Sequence, residues 1–524
     1  MCHSVLGAPA GATVRFVSAA VAGESGDLLV YGTSRGRWVL AAAVLGSGIA
    51  MLDSTVVGIA LPRIGKSFHS GLGTLQWVVT GYALTLAAFL LLGGSLGDRL
   101  GRRKIFSVGV IWFAIASACC GLAPNATTLI AARIAQGIGG ALLAPASLAI
   151  LQASFRAEDR ARAIGAWSGL GGLAAAAGPL VGGYLIAVGS WRWVFFINIP
   201  VAVGVLAITA RHVPESRDPT TTGRVDMIGA GLAVVFLASL TYGLIEEPAL
   251  GWAAPGVLGA LVVAGVAFPG FLAVERFRRS PMLPLSVFRS GQFSAANAVT
   301  FVVYGALAGA LFLLPVELQV VAHYSPLGSG LALLPVTIVM LAFSARSGSL
   351  ASRIGPRFQM AVGPLVVGAG LALLTRATYE GSYVTLVFPA VLVFGVGLAI
   401  TVAPLTATAM GAAPPEHAGV ASAVNNVVAR AAGLITVAVL PLLAGLTGAT
   451  ALQPRHLAAG FRIAVVIAGI MCAAGGVLAA VTIRNPQSSD HVIERHLRTW
   501  HCAIDGAPLQ AATSSSAPEA GEQS

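Results

Sequence analysis

The chain alternates long apolar blocks with short polar breaks. Apolar spans lie at 38–61, 75–97, 105–123, 126–151, 162–188, 192–210 and 226–245. Seven more follow at 252–274, 293–320, 327–345, 358–376, 383–408, 418–446 and 460–482. A helix needs about 20 apolar residues to cross a bilayer. The pattern therefore predicts an all-α polytopic membrane protein with fourteen transmembrane helices. Residues 1–37 read as an N-terminal tail, in which VRFVSAAVAG is too short and broken for a signal-peptide core. Residues 484–524 are rich in Ser, Ala and Glu, and are expected to be a disordered tail.

The polar breaks are asymmetric in charge. Alternate loops hold Arg99, Arg102, Arg103 and Lys104, then Arg156, Arg160 and Arg162, then Arg211, Arg217 and Arg224. The set continues with Arg276, Arg278, Arg279 and Arg289, then Arg346, Arg353 and Arg357. The intervening loops are poorer in bases, which is the positive-inside pattern and predicts both termini in the cytoplasm. The loop at 409–417 lacks Arg and Lys, and the loop at 447–459 carries Arg455, so both fit badly.

Two of the basic loops resemble each other. Residues 94–103 read GSLGDRLGRR and residues 348–357 read GSLASRIGPR, at an offset of 254. Duplication of a six-helix unit explains the match. Two adjacent units would lie roughly 200 residues apart at about 30 residues per helix and loop. The larger offset leaves room for two extra helices between the halves. The expected organisation is a six-helix half at 38–210, two added helices at 226–274 and a second half at 293–483.

Composition agrees. Of 524 residues, 56% are hydrophobic and only 10% charged, with a mean hydropathy of +0.85. The net charge of +11 would suggest nucleic-acid binding in a soluble chain, but here it belongs to the loops. The five cysteines, Cys2, Cys119, Cys120, Cys472 and Cys502, form no CxxC pair, so neither a zinc site nor a disulfide framework is expected. GKS at 65–67 is no phosphate loop, because that pattern needs a glycine where Ala60 stands.

GGSLGDRLGRRKIF (93–106) resembles the loop motif of major facilitator transporters. LDSTVVGIALP (52–62) resembles the first-helix motif of the fourteen-helix drug:proton antiporter branch. LIAARIAQGIGGAL (129–142) is similar to its fourth-helix motif, and AAAAGPLVGG (174–183) to the antiporter motif of the fifth helix. WRWVFFINIPVAV (191–203) and ASAVNNVVARAAG (421–433) are also typical of the branch. The resemblance spans roughly 38–483. It implies a major facilitator fold and proton-driven export of amphipathic, often cationic, compounds across the cytoplasmic membrane. Protons, small substrates and lipid would be the partners of a monomer, with no nucleotide, nucleic acid, metal or cofactor.

Particular residues carry the expected chemistry. Asp53 lies well inside the first span. A carboxylate there costs about 3 kcal/mol on insertion scales, which marks it as a functional candidate. Burial penalises its charged form, suiting a group that takes up and releases a proton. A structural bond to Ser54 or Thr55 is the alternative. Arg133 keeps its charge, and the resemblance gives it a role in proton coupling, against a snorkelling side chain. The resemblance implies that Asp98, with Arg99, Gly101, Arg102 and Arg103, latches the two halves. Asp98 can also pair with an arginine, or the loop can be a topology signal alone. Gly165, Gly169, Gly178, Gly182 and Gly183 recur at a spacing that permits close helix packing, and Pro179 adds a kink. Gln136, Glu317, Asn425, Asn426 and Arg430 are candidates for the substrate cavity, although Glu317 could equally sit at the membrane interface.

Export of an endogenous lipid or metabolite would look the same in sequence. Uptake by symport is argued against by GPxxGG. A membrane enzyme is argued against by histidines such as His69, His212, His323 and His417 falling in loops.

Overall fold

The computed structural model describes residues 28–217, 226–278, 283–376, 382–412 and 418–485. Arg224, Arg279, His417, most of the poorly fitting 409–417 loop and nearly all of the expected C-terminal tail lie outside the described residues, as do Cys2 and Cys502. Among the described residues, fourteen helices are long and apolar enough to span a membrane. The first six are α1 (Ser34–Phe68), α2 (Leu72–Leu100), α3 (Arg102–Leu122), α4 (Ala126–Ser154), α5 (Ala157–Val188) and α6 (Trp193–His212). The added pair is α7 (Met227–Leu250) and α8 (Pro255–Phe277). The last six are α9 (Gly291–Val320), α10 (Pro326–Ile354), α11 (Arg357–Arg376), α12 (Tyr383–Gly411), α13 (Ala418–Leu443) and α14 (Pro454–Thr482).

Several helices outrun the apolar blocks that announce them. At 1.5 Å per residue the 35 residues of α1 reach about 52 Å, well beyond a hydrocarbon core of about 30 Å. Hydropathy registers only the part in oil. GKS therefore lies in the last turn of α1 rather than in a loop after it. The end of the expected N-terminal tail is also ordered. Leu29 pairs with Phe155, and the Tyr31 amide donates to Asp159 at 2.8 Å, docking this segment on the α4–α5 junction.

Two helices break where a proline cannot return a hydrogen bond. Pro200 has no N–H for Phe196, and α6 is interrupted at Ile197. Pro335 has none for Leu331, and α10 is interrupted at Leu333.

The repeat seen in the sequence has a structural counterpart. Gly101 and Gly355 adopt φ of 115° and 86°, conformations that favour glycine. Each turn is capped by a side chain from just beyond the last helix of its own half. Glu215 accepts from the Arg103 and Lys104 amides at 3.1 and 3.2 Å. Asn485 accepts from the Arg357 amide at 3.0 Å and donates to the Ile354 carbonyl. The motif copies thus occupy equivalent places after the second helix of each half.

With an even number of crossings, both ends of the described chain lie on one face, here called the tail side. On the opposite, far side, the two halves meet. Gln319 of α9 donates to the Ile59 carbonyl of α1 at 2.9 Å. Gln76 of α2 donates to the Val437 and Ala438 carbonyls of α13 at 2.8 and 3.2 Å. The added pair covers the α2–α13 seam: Leu237 of α7 joins Leu84, Ala87, Ala88 and Leu434 in one apolar cluster. Asp226 and Arg278 pair across the tail-side ends of α7 and α8.

Candidate functional site

The fourth-helix motif divides into packing and chemistry. Gly137, Gly139 and Gly140 set the packing. A Cβ on Gly137 would lie 2.3 Å from the Tyr82 carbonyl oxygen, and one on Gly139 would lie 2.8 Å from the Phe113 amide. Their bare backbones let α4 press against α2 and α3. Arg133 and Gln136, three residues apart, share one face, and that closeness aims both at α1.

Asp53 is the point on which they converge. Arg133 donates to Oδ2 through Nη1. Gln136 Nε2 donates to Oδ1 at 2.9 Å, and Asn198 Nδ2 donates to the same oxygen at 3.1 Å. Arg133 also donates to the Val78 carbonyl at 3.1 Å and to Gln136 Oε1 at 2.7 Å. Its guanidinium lies 4.3 Å from the centre of the Tyr82 ring, and the Tyr82 hydroxyl donates to the Ala50 carbonyl at 3.2 Å. Asn198 continues to Ser117 at 3.0 Å, whose hydroxyl donates to the Phe195 carbonyl at 2.8 Å. Asp53, Arg133, Gln136, Asn198, Ser117 and Tyr82 are all buried. One carboxylate therefore ties together α1, α2, α3, α4 and α6.

This excludes two alternative readings and corrects one expectation. Arg133 does not snorkel; it is enclosed. Asp53 is engaged by donors on other helices rather than by Ser54 or Thr55, whose hydroxyls return to carbonyls of the preceding turn. Gln136 belongs to the Asp53 cluster and is fully buried, so it does not line a substrate cavity.

The remaining cavity candidates disperse. Glu317 is buried rather than interfacial, its Oε2 lacks a hydrogen-bond partner, and Arg462 of α14 is the cation acting on it. Asn425 is buried and donates to Asn297 and Thr300 of α9 at 3.2 and 2.9 Å, so it locks helices within its own half. Asn426 is exposed. Arg430 is half-buried at mid-helix. Asn198 and Tyr82 were not singled out by the sequence. An amide inside the apolar run WRWVFFINIPVAV is the signal that could have found the first.

The fifth-helix motif is a seam with two faces. A Cβ on Gly178 would lie 1.9 Å from Thr55 Oγ1, and one on Gly182 would lie 2.9 Å from Val56 Cγ1, so both face α1. A Cβ on Gly183 would lie 2.7 Å from Leu327 Cα, and one on Gly330 would lie 2.2 Å from the Pro179 carbonyl oxygen. Here α5 and α10 close the far side backbone to backbone. Gly165 and Gly169 differ from expectation: a Cβ on either would meet nothing within 4 Å. Small residues permit close packing; they do not compel it, and the tail-side stretch of α5 stands open.

Among the described residues, Asp98 pairs within its own loop rather than with the other half. Asp98 Oδ1 accepts from Arg102 at 2.8 and 2.9 Å, and the loop docks on the end of α6 through Ser216, Glu215 and Ala210. The pair is partly exposed, so it contributes at most about 1 kcal/mol. Asp98→Asn is therefore expected to lower the melting temperature little while slowing transport severalfold. Unchanged transport would leave the loop a topology signal alone.

The comparisons with known proteins fit this architecture. The family model of the Major Facilitator Superfamily matches residues 43–437. The chain belongs to the major facilitator superfamily. It is 37% identical over 412 residues to the tetracenomycin C resistance and export protein of Streptomyces glaucescens, covering 78% of this chain and 76% of that one. It is 36% identical to the multidrug resistance protein Stp of Mycobacterium tuberculosis, covering 79% and 77%. It is 35% identical to the methylenomycin A resistance protein of Bacillus subtilis, covering 79% and 89%. Among solved structures, a D-xylose–proton symporter shares the fold with a TM-score of 0.62 at 16% identity, covering 86% of this chain and 99% of that one. This major facilitator chain is a multi-pass protein of the bacterial cell membrane, and a transporter rather than an enzyme.

Proposed function

We propose that the chain is a proton-coupled exporter of amphipathic small molecules, acting as a monomer, with its tail side in the cytoplasm. The charge bias of the loops supports that orientation. Relatives named for antibiotic resistance and export support the direction. With the far side closed, a central cleft between the halves would open to the cytoplasm, where a substrate would enter. No nucleotide or cofactor is invoked; the proton gradient supplies the energy.

The buried Asp53–Arg133 pair carries this reading. A proton arriving at Asp53 removes the counter-ion of a guanidinium that cannot lose its own charge. Arg133 must then shift, and α1, α2, α3, α4 and α6 are tied to it. The charge state of one carboxyl group thereby biases the packing of a whole half, which is what alternating access requires. Substrate meets the cleft while the proton meets the enclosed cluster, so the two ligands compete through conformation.

The test is transport of a fluorescent amphipathic dye into inverted vesicles. Uptake should follow an imposed proton gradient and collapse with a protonophore. Uptake that persists unchanged without the gradient would sink the proposal.

A further inference from the structure

Apart from the Asp53 cluster, Arg430 is a further charge placed deep within a helix of the bundle. Arg430 is twelve residues from the start of α13 and thirteen from its end, so about 18 Å of helix lies on either side. It has no hydrogen-bond or ion-pair partner among the described residues, and its Nε is buried and unsatisfied. One turn further along α13, Leu434 packs on Leu84, Ala87 and Ala88 of α2. Beyond that, the Val437 and Ala438 carbonyls accept from Gln76. Arg430 thus sits immediately to the tail side of the seam between the halves.

No acid answers it. Among the described residues, Asp53 is the one acid placed more than five residues inside any of the fourteen helices. Asp53 is enclosed and already paired with Arg133. An uncompensated guanidinium in a membrane interior is costly and marks a functional site. Its planar fork of donors suits a carboxylate or a similar oxyanion.

A second observation lies across the closed seam. Arg63, Lys66 and Arg192 line one far-side cavity of about 560 Å³ with Ile186 and Trp191. Arg192 is oriented by a 2.8 Å bond to the Ala123 carbonyl and by stacking 4.3 Å over Trp191. Three bases on the face that the charge bias keeps poor in them form a cationic mouth beside the α5–α10 seam.

We infer that the transported molecule carries an anionic group, which Arg430 binds on the tail side of the seam and which the Arg63–Lys66–Arg192 mouth receives when the far side opens. The substrate class is an acidic amphipath, an apolar body bearing a carboxylate or comparable oxyanion. This replaces the cationic class implied by family resemblance, and it rests on the exporter reading for its direction only.

The test uses three pyrene probes of one size: pyrenebutyrate, its methyl ester and a pyrenebutyl trimethylammonium. Binding to the purified protein is read by energy transfer from tryptophan, and transport is read separately in vesicles. The acid should bind at least tenfold more tightly than the ester, and the cation least. Arg430→Gln should abolish the preference of acid over ester, and Arg430→Lys should keep part of it. Equal or tighter binding of the cation to the native protein, which needs no variant to fold, would overturn the inference. So would an Arg430→Gln protein of native melting temperature that still prefers the acid. If the acid binds through Arg430 but no probe follows the gradient, the exporter reading falls and this inference stands. If ester and cation are exported and the acid has no advantage, the reverse holds.

Discussion

Asp53→Asn should reduce gradient-driven transport to background while the protein still inserts. Asparagine preserves the shape and can still accept from Arg133, but it cannot neutralise it. Removing one partner of a buried ion pair costs about 3–5 kcal/mol, because the other charge is left uncompensated. The retained carbonyl places this substitution near the lower end. A melting temperature several degrees lower in detergent is the stability readout. Asp53→Asn combined with Arg133→Gln removes both charges and should recover most of that loss, yet transport should stay at background. This split separates the two roles of the pair. Native-rate, protonophore-sensitive uptake by Asp53→Asn would show that the proton is carried elsewhere, with Glu317 the next buried acid to examine.

The second large effect is expected at Gly330. Its added Cβ would lie 2.2 Å from the Pro179 carbonyl oxygen, whereas a close C···O contact is about 3.3–3.6 Å. Gly330→Ala must push α5 and α10 apart by about 1 Å at the far side. Overpacking of this kind costs about 1–3 kcal/mol, and each 1.4 kcal/mol is a tenfold change in an equilibrium. The cost falls only on the state in which the far side is closed. The conformational balance should therefore move about fivefold to about a hundredfold toward the far-side-open state, and transport should slow accordingly. A cysteine at Ser329, which is fully buried, reports the change in a background where all five native cysteines, Cys2, Cys119, Cys120, Cys472 and Cys502, are replaced by serine. It should resist an impermeant thiol reagent from the far side in the native seam and react readily in Gly330→Ala. Equal protection in both would mean that this seam is not the gate.

Much of the architecture was legible in the residue order because oil and water impose it. The fourteen apolar blocks, the 254-residue offset and the room it leaves for α7 and α8 follow from bilayer thickness and chain length. Helix ends were less legible, since a helix such as α1 continues into water where hydropathy carries no signal. For the site, Asp53 and Arg133 stood out because a charge in oil demands a reason. Asn198 did not, since one amide in an apolar run is cheap and common. Gly178 and Gly165 looked alike as small residues, yet only the first is pressed against another helix.

The sequence alone determined that this chain spans the membrane fourteen times, that it is a duplicated six-helix unit with an insertion, and that a charge is buried in its first span. Tertiary structure decided the rest. It enclosed Asp53, Arg133, Gln136 and Asn198 in one cluster, bound Asn425 to a neighbouring helix of its own half, and left Arg430 uncompensated on the tail side of the seam. The physical reason is that hydropathy fixes how deep a residue lies, whereas a partner is fixed by the rotation and approach of neighbouring helices. Those are set by glycines and prolines many residues away in the chain, and they become definite only when the helices pack.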